Sequence, residues 1–203
     1  MKKILFYVIP ALTVLACGKS QASGAKDYLA PDSLQMTDIS AEIDFGYQTE
    51  RTIDIIVIHS NYYLGRDSFS TKGCIRQFRD NNVAPHYMIE RNGNILRLVD
   101  ERHIAWHAGK SALPGTDRTS LNQNSIGIEV INSKTQGPTP QQYESLVRLV
   151  TDIRSRHDIK YLMRHSDIAP DRKTDPWKFD WVGFCEKVRA TSGDIIYVED
   201  GEN

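Results

Sequence analysis

The sequence predicts an α/β domain built on a central mixed β-sheet flanked by helices. Three observations carry that expectation. Ile53–Ile58 is an almost unbroken β-branched run, the composition of a central strand buried on both faces. Asn92-Gly93 stands between two apolar segments, the strongest short signal for a hairpin. Pro140–His157 places Tyr143, Leu146, Val147, Val150 and Ile153 on one helical stripe.

The chain opens with Lys2 and Lys3 before an apolar run from Ile4 to Ala16 that ends at Cys17. A basic start and an apolar stretch of this length read as a secretory signal, and the run is shorter than the roughly 20 apolar residues a membrane span needs. Residues 18–45 are rich in Ser, Ala, Asp and Gln and read as a flexible tether. The domain is expected over 46–190. After the first strand, Thr71–Asn81 is expected to be a helix with Ile75 and Phe78 on its inner side. His86–Arg91 and Ile95–Val99 are the arms of the hairpin. Ser125–Ile131 is a further strand. Thr139 is suited to cap a helix whose first position is Pro140. Tyr161–Met163 is a short strand, and Trp181–Val188 a last helix. Residues 191–203 read as a polar tail.

At 203 residues the chain suffices for one domain with a proper core. Its formal net charge is −1, with acidic and basic residues interspersed, so nothing points to nucleic acid. Beyond Cys17 only Cys74 and Cys185 remain as thiols. An exported protein would meet an oxidising compartment in which they could pair, and two separate buried thiols fit the sequence equally well.

The residues that could carry chemistry stand at strand ends. His59 follows the first strand, His165 follows the strand at 161–163, and Asp175 lies ten residues further, in the loop from His165 to Trp177. Two imidazoles and a carboxylate suit Zn²⁺, and three protein ligands leave a fourth position for water. Alternation in Ile126-Gly127-Ile128-Glu129-Val130 sets Gly127 and Glu129 on the face opposite the isoleucines, with open space expected beside Glu129.

The wording of these segments is more specific than their spacing. His165-Ser-Asp-Ile-Ala-Pro-Asp-Arg-Lys-Thr-Asp175-Pro176 closely resembles the zinc loop of the amidase_2 family of N-acetylmuramoyl-L-alanine amidases, which is related to phage lysozyme-type amidases and peptidoglycan recognition proteins. Ile55–His59, Pro85–Ile89 with Asn92-Gly93, Ala105-Trp-His-Ala-Gly109 and Ser125–Glu129 resemble four more family segments, in the same order. The resemblance spans about residues 50–190. It implies His59, His165 and Asp175 as zinc ligands, Glu129 as general base and Lys173 as the lysine beside the metal. Asp175 stands where some relatives have cysteine, and a carboxylate cannot be oxidised as a thiolate can. Asn61, His86, Trp106, His107 and Arg172 are candidates to touch substrate. His157 is expected to be a solvated helix cap and His103 a surface residue.

The implied reaction is hydrolysis of the lactyl-amide bond between N-acetylmuramic acid and L-Ala of peptidoglycan. Hydroxide made available by zinc would attack, and Glu129 would move the proton. The alternatives are a non-catalytic peptidoglycan-binding member of the superfamily, against which the complete ligand set counts, and a different zinc hydrolase, for which the HExxH signature is absent. Val14-Leu-Ala-Cys17 resembles the lipobox of bacterial lipoproteins, with Leu15 departing from the usual small residue. Lipid on Cys17 would anchor the chain in the cell envelope, on the outer membrane where one exists. The expected partners are peptidoglycan or muropeptides and that membrane. The chain is expected to act as a monomer.

Overall fold

The computed structural model describes residues 34–40 and 50–198. Its sheet has six strands: β1 (Thr37–Asp38), β2 (Ile55–Asn61), β3 (Tyr87–Ile89), β4 (Ile95–Arg97), β5 (Ser125–Ile131) and β6 (Tyr161–Arg164). The helices are α1 (Thr71–Asp80), α2 (Pro140–Arg156), α3 (His165–Ile168) and α4 (Trp181–Ser192). The strand order is β1-β4-β3-β5-β2-β6. Only the β3–β4 hairpin is antiparallel; the other pairings are parallel. This is the mixed sheet that the strand pattern and the Asn92-Gly93 turn predict. Gly93 sits at φ +89°, a backbone region where a side chain is strained.

Residue alternation divides the core into two sides. Ile56, Ile58, Ile126, Ile128 and Val130 pack with Leu146, Leu149, Val150 and Ile153 of α2 and with Phe184 and Val188 of α4. On the opposite face, Met88 and Ile131 pack beneath Cys74, Ile75 and Phe78 of α1. Further along that face, Ile55, Val57 and Met163 pack beneath Ala108, Leu113 and Leu121 of the long β4–β5 connection. β2, flanked by β5 and β6, is buried at every position, and its first four residues are accordingly a continuous apolar run.

α2 begins as its sequence indicates. Thr139 Oγ1 accepts from the Gln142 amide at 3.1 Å, and Gln142 Oε1 accepts from the Thr139 amide at 2.9 Å, a complete capping box. Gln142 is buried nonetheless, because its amide nitrogen also donates to the carbonyls of Ile89 and Ile131. The buried stripe includes Leu149, with Tyr143 and Val147 only partly covered.

Several expectations are corrected. β2 does not stop at Ile58 but runs on through His59 to Asn61, held by parallel pairing to β5. Part of the stretch read as a tether joins the sheet: Thr37 and Asp38 pair with Leu96 and Arg97. Nor is 191–198 a free tail. α4 extends to Ser192, Ile195 is buried, and Ile196 bridges to Tyr161 beyond β6. His157 does cap α2, its amide donating to the Ile153 carbonyl, but it is not simply solvated, since its Nε2 lies 2.7 Å from the part-buried Glu101 carboxylate. Cys74 and Cys185 belong to core clusters on opposite faces of the sheet and form no disulfide. Burial pushes the Cys74 thiol up to about 12. The signal segment and Cys17 lie outside the described residues, and among those described no helix is long and apolar enough to cross a membrane.

Candidate metal centre and cleft

The site lies on the α1 side of the sheet, where parallel register sets His59 of β2 opposite Glu129 of β5. Paired positions on adjacent strands project to the same face, so the two side chains share one floor. β6 pairs with β2 as far as Arg164, and His165 follows at once as the first residue of α3. Its imidazole is thereby delivered beside His59. Asp175 is brought back by two clamps. The Ser166 amide donates to the Asp175 carbonyl at 2.9 Å, and the Trp177 amide donates to Ser60 Oγ at 3.0 Å.

Three ligand atoms converge. His59 Nδ1 and His165 Nδ1 are 2.8 Å apart, and Asp175 Oδ2 lies 3.1 Å from the second and 3.7 Å from the first. All three residues are buried, and among the described residues they form the group suited to a metal ion. Burial first, then the neighbouring His165, holds the His59 imidazole down to about 4, so it is neutral near pH 7 with a lone pair to give. Burial alone would raise the Asp175 carboxyl. The contact with His165 and then the proximity of His59 outweigh it and hold the group well below the usual carboxylate range. Two imidazoles and one carboxylate, drawn together out of water, fit a divalent cation and no ordinary core packing.

Glu129 stands beside this group with Oε2 buried and without a hydrogen-bond partner among the described residues. Its carboxyl is raised well above the ordinary value, chiefly by burial and then by the charge of Asp175, with Lys173 acting in the opposite sense. Above the floor opens a cleft of about 610 Å³, lined by Asn61, Trp106, His107, Lys134, Arg172, Lys173 and Trp177 among others.

The remaining candidates divide. Asn61 and Trp106 line the cleft, and Trp106 is 41% exposed. Arg172 also lines it, but its guanidinium donates to the carbonyls of Ala108 and Lys110, tying two loops together. His86 does not reach the cleft. It is fully buried, its Nδ1 accepts from the Gly127 amide at 3.1 Å and its Nε2 lies 3.2 Å from the His103 carbonyl. His103 is itself only partly exposed, with Nδ1 buried. The space expected beside Glu129 is filled: a Cβ on Gly127 would lie 2.3 Å from Cγ of His107. Sequence reasoning passed over Ser60, Ser125 and Lys134. Ser60 adjoins His59 and Ser125 opens the segment that bears Glu129, so both could have been weighed for that reason; Lys134 carried no signal.

Comparison with known proteins identifies relatives of this chain. Residues 49–178 match the family described as N-acetylmuramoyl-L-alanine amidase. The chain is 33% identical over 200 residues to the N-acetylmuramoyl-L-alanine amidase AmiD of Escherichia coli strain K12, covering 89% of this chain and 66% of that protein. It is 42% identical over 105 residues to the 1,6-anhydro-N-acetylmuramyl-L-alanine amidase AmpD of the same strain, covering 50% of this chain and 56% of that one. The chain therefore spans less than two thirds of the length of either relative. A solved complex of the E. coli AmiD with the substrate anhydro-N-acetylmuramic acid-L-Ala-D-gamma-Glu-L-Lys superimposes with a TM-score of 0.59 at 32% identity, over 70% of this chain and 60% of that one. A selenomethionine AmpD structure superimposes with a TM-score of 0.59 at 27% identity, over 77% and 93%. With the family match extending over well more than half of its length, this chain belongs to the N-acetylmuramoyl-L-alanine amidase family.

Proposed function

We propose that this chain is a zinc-dependent amidase that hydrolyses the bond between the lactyl carbonyl of N-acetylmuramic acid and the nitrogen of L-Ala in peptidoglycan or its fragments. The observation that carries the reading is the convergence of His59, His165 and Asp175 with Glu129 beside them at the floor of an open cleft. The family match and a relative solved with an anhydromuramyl peptide support the same bond.

His59, His165 and Asp175 would hold the metal. When bound, zinc supplies the Lewis acidity that makes hydroxide available near neutral pH. Glu129 is suited to hold the proton in transit. A carboxylate sealed from water is a stronger base than an exposed one, and its Oε2 has no competing partner among the described residues. It takes a proton as water adds to the lactyl carbonyl, and returns it to nitrogen as the C–N bond breaks. The products are a free lactyl carboxylate and a peptide with a free N-terminal L-Ala. Lys173, on the cleft wall and near enough for its charge to act on both Glu129 and His59, stabilises the oxyanion formed between those steps. Asn61, Trp106 and Arg172 border the space the substrate enters. We further propose that the chain acts as a monomer held in the envelope by lipid on Cys17.

Digestion of purified sacculi and soluble muropeptides, followed by mass spectrometry, tests the bond. New sugar reducing ends, or cuts between peptide residues, would show a different reaction. Elemental analysis tests the metal, with one zinc per chain expected; an active, folded sample without transition metal would rule the zinc reading out.

A further inference from the structure

His107 lies in the cleft wall, yet both its ring nitrogens are engaged inside the protein. Nδ1 is 3.0 Å from His59 Nε2, and Nε2 is 3.2 Å from Ser125 Oγ. Ser125 Oγ is in turn 2.6 Å from the Leu121 carbonyl oxygen. The direction of every bond in this chain follows from its last member. A carbonyl oxygen only accepts, so the single Ser125 hydroxyl proton points at Leu121. Ser125 then offers His107 only lone pairs, and His107 Nε2 must carry a proton. A neutral imidazole has one N–H, so His107 Nδ1 is bare and accepts. His59 Nε2 therefore donates, and the lone pair of His59 is left on Nδ1, the nitrogen that faces His165 and Asp175.

The surroundings hold this arrangement in place. The amides of His107 and Ala108 both donate to Asn122 Oδ1, at 3.2 and 2.8 Å. Arg51 donates to the carbonyls of His103, Asn122 and Ser125, joining the loop on either side to the start of β5. Gly127 leaves room for the ring where it sits, since a Cβ there would lie within 2.3–2.7 Å of three ring atoms.

We propose that His107 is a positioning residue, set by Ser125 and the Leu121 carbonyl, that holds His59 in the tautomer and orientation presenting Nδ1 to the metal, and that it does not itself contact substrate. The inference rests on the zinc reading of the site. Outer partners of ligating histidines fix tautomer and raise basicity, and their loss costs about 10–100-fold in metal affinity.

Zinc affinity of the full chain, measured by competition with a chromophoric chelator, is the test. Leu at this position keeps a similar branched shape without an acceptor, whereas Asn sets an amide oxygen where Nδ1 was. His107→Leu should bind zinc about 10–100-fold more weakly, and His107→Asn should recover most of that loss. Equal losses in the two variants, or no loss in either, would overturn the proposal. Two-bond ¹H–¹⁵N spectra of the wild-type chain give a second reading that no folding defect can obscure: His107 should carry its proton on Nε2, and a proton on Nδ1 would refute the scheme. Failure of the wild-type chain to take up zinc would instead sink the metal reading, and the His107 tautomer would still be decided by the spectra.

Discussion

Glu129 and His86 show how burial sets chemistry at single residues. Both are shifted mainly by loss of water, and in each case the neutral form is favoured. For Glu129 that makes a stronger base. Glu129→Gln is nearly isosteric but cannot accept the proton, so zinc and muropeptide binding should persist while turnover falls by about 10²–10⁴-fold. Binding and rate measured separately would separate lost chemistry from misfolding, and full activity in the variant would assign the base elsewhere. His86 is brought down to about 3, first by burial and then by the Arg51 charge. Its Nδ1 lone pair is occupied by the Gly127 amide, so protonation breaks a buried bond. Between about pH 6.5 and 3 the unfolded chain binds a proton here that the folded chain refuses. The stability from this group is thus complete above the unfolded value and is lost as pH falls, by about 1.4 kcal/mol per unit. His86→Asn retains an acceptor for Gly127 but does not titrate. Urea unfolding should therefore show the wild-type advantage over His86→Asn shrinking between pH 7 and pH 5, whereas a constant gap would exclude His86 as the source.

Among the elements, β5 does the most to build the site. Its even-numbered residues from Ile126 to Val130 fill the core beneath α2 and α4, and its odd ones bring Gly127 and Glu129 to the cleft side. Pairing with β2 then matches Val57 with Gly127 and His59 with Glu129. The alternation was legible in the residues; the filling of the gap at Gly127 was not, because His107 arrives from a loop some twenty positions earlier. Gly127→Ala tests the fit. The added methyl has to displace the ring, at a cost typical of overpacking, about 1–3 kcal/mol. Urea denaturation should show that loss, and chelator competition should show weaker zinc binding as His107 leaves His59. A variant unchanged in both would mean the loop yields freely.

At the scale of the whole molecule, the helices α2 and α4 cover one face, while α1 and the β4–β5 connection share the other and leave the cleft between them. That division lets the candidate metal-binding group be buried while the cleft remains open. Anchoring belongs to this scale too. If lipid on Cys17 holds the domain at the envelope, labelling with a fatty-acid probe should mark the wild-type chain, and Cys17→Ser should leave an unprocessed or mislocalised precursor. Processing and release of Cys17→Ser like the parent would exclude the lipoprotein reading.

By itself the sequence determined strands β2 to β6, the hairpin, the capped α2 and the candidate ligands His59, His165 and Asp175, since each rests on local signals: β-branched runs, Asn-Gly, Thr-Pro, and one loop of specific wording. The tertiary structure alone decided what those residues meet. It sent His86 into the core, paired His157 with Glu101, added β1 to the sheet and bridged Ile196 to its edge, and set His107 behind His59. The physical reason is common to all four. Period and propensity report which face a residue prefers, but a hydrogen-bond partner fifteen to sixty positions away is chosen by packing, and a short edge strand or a buried imidazole has no local pattern of its own.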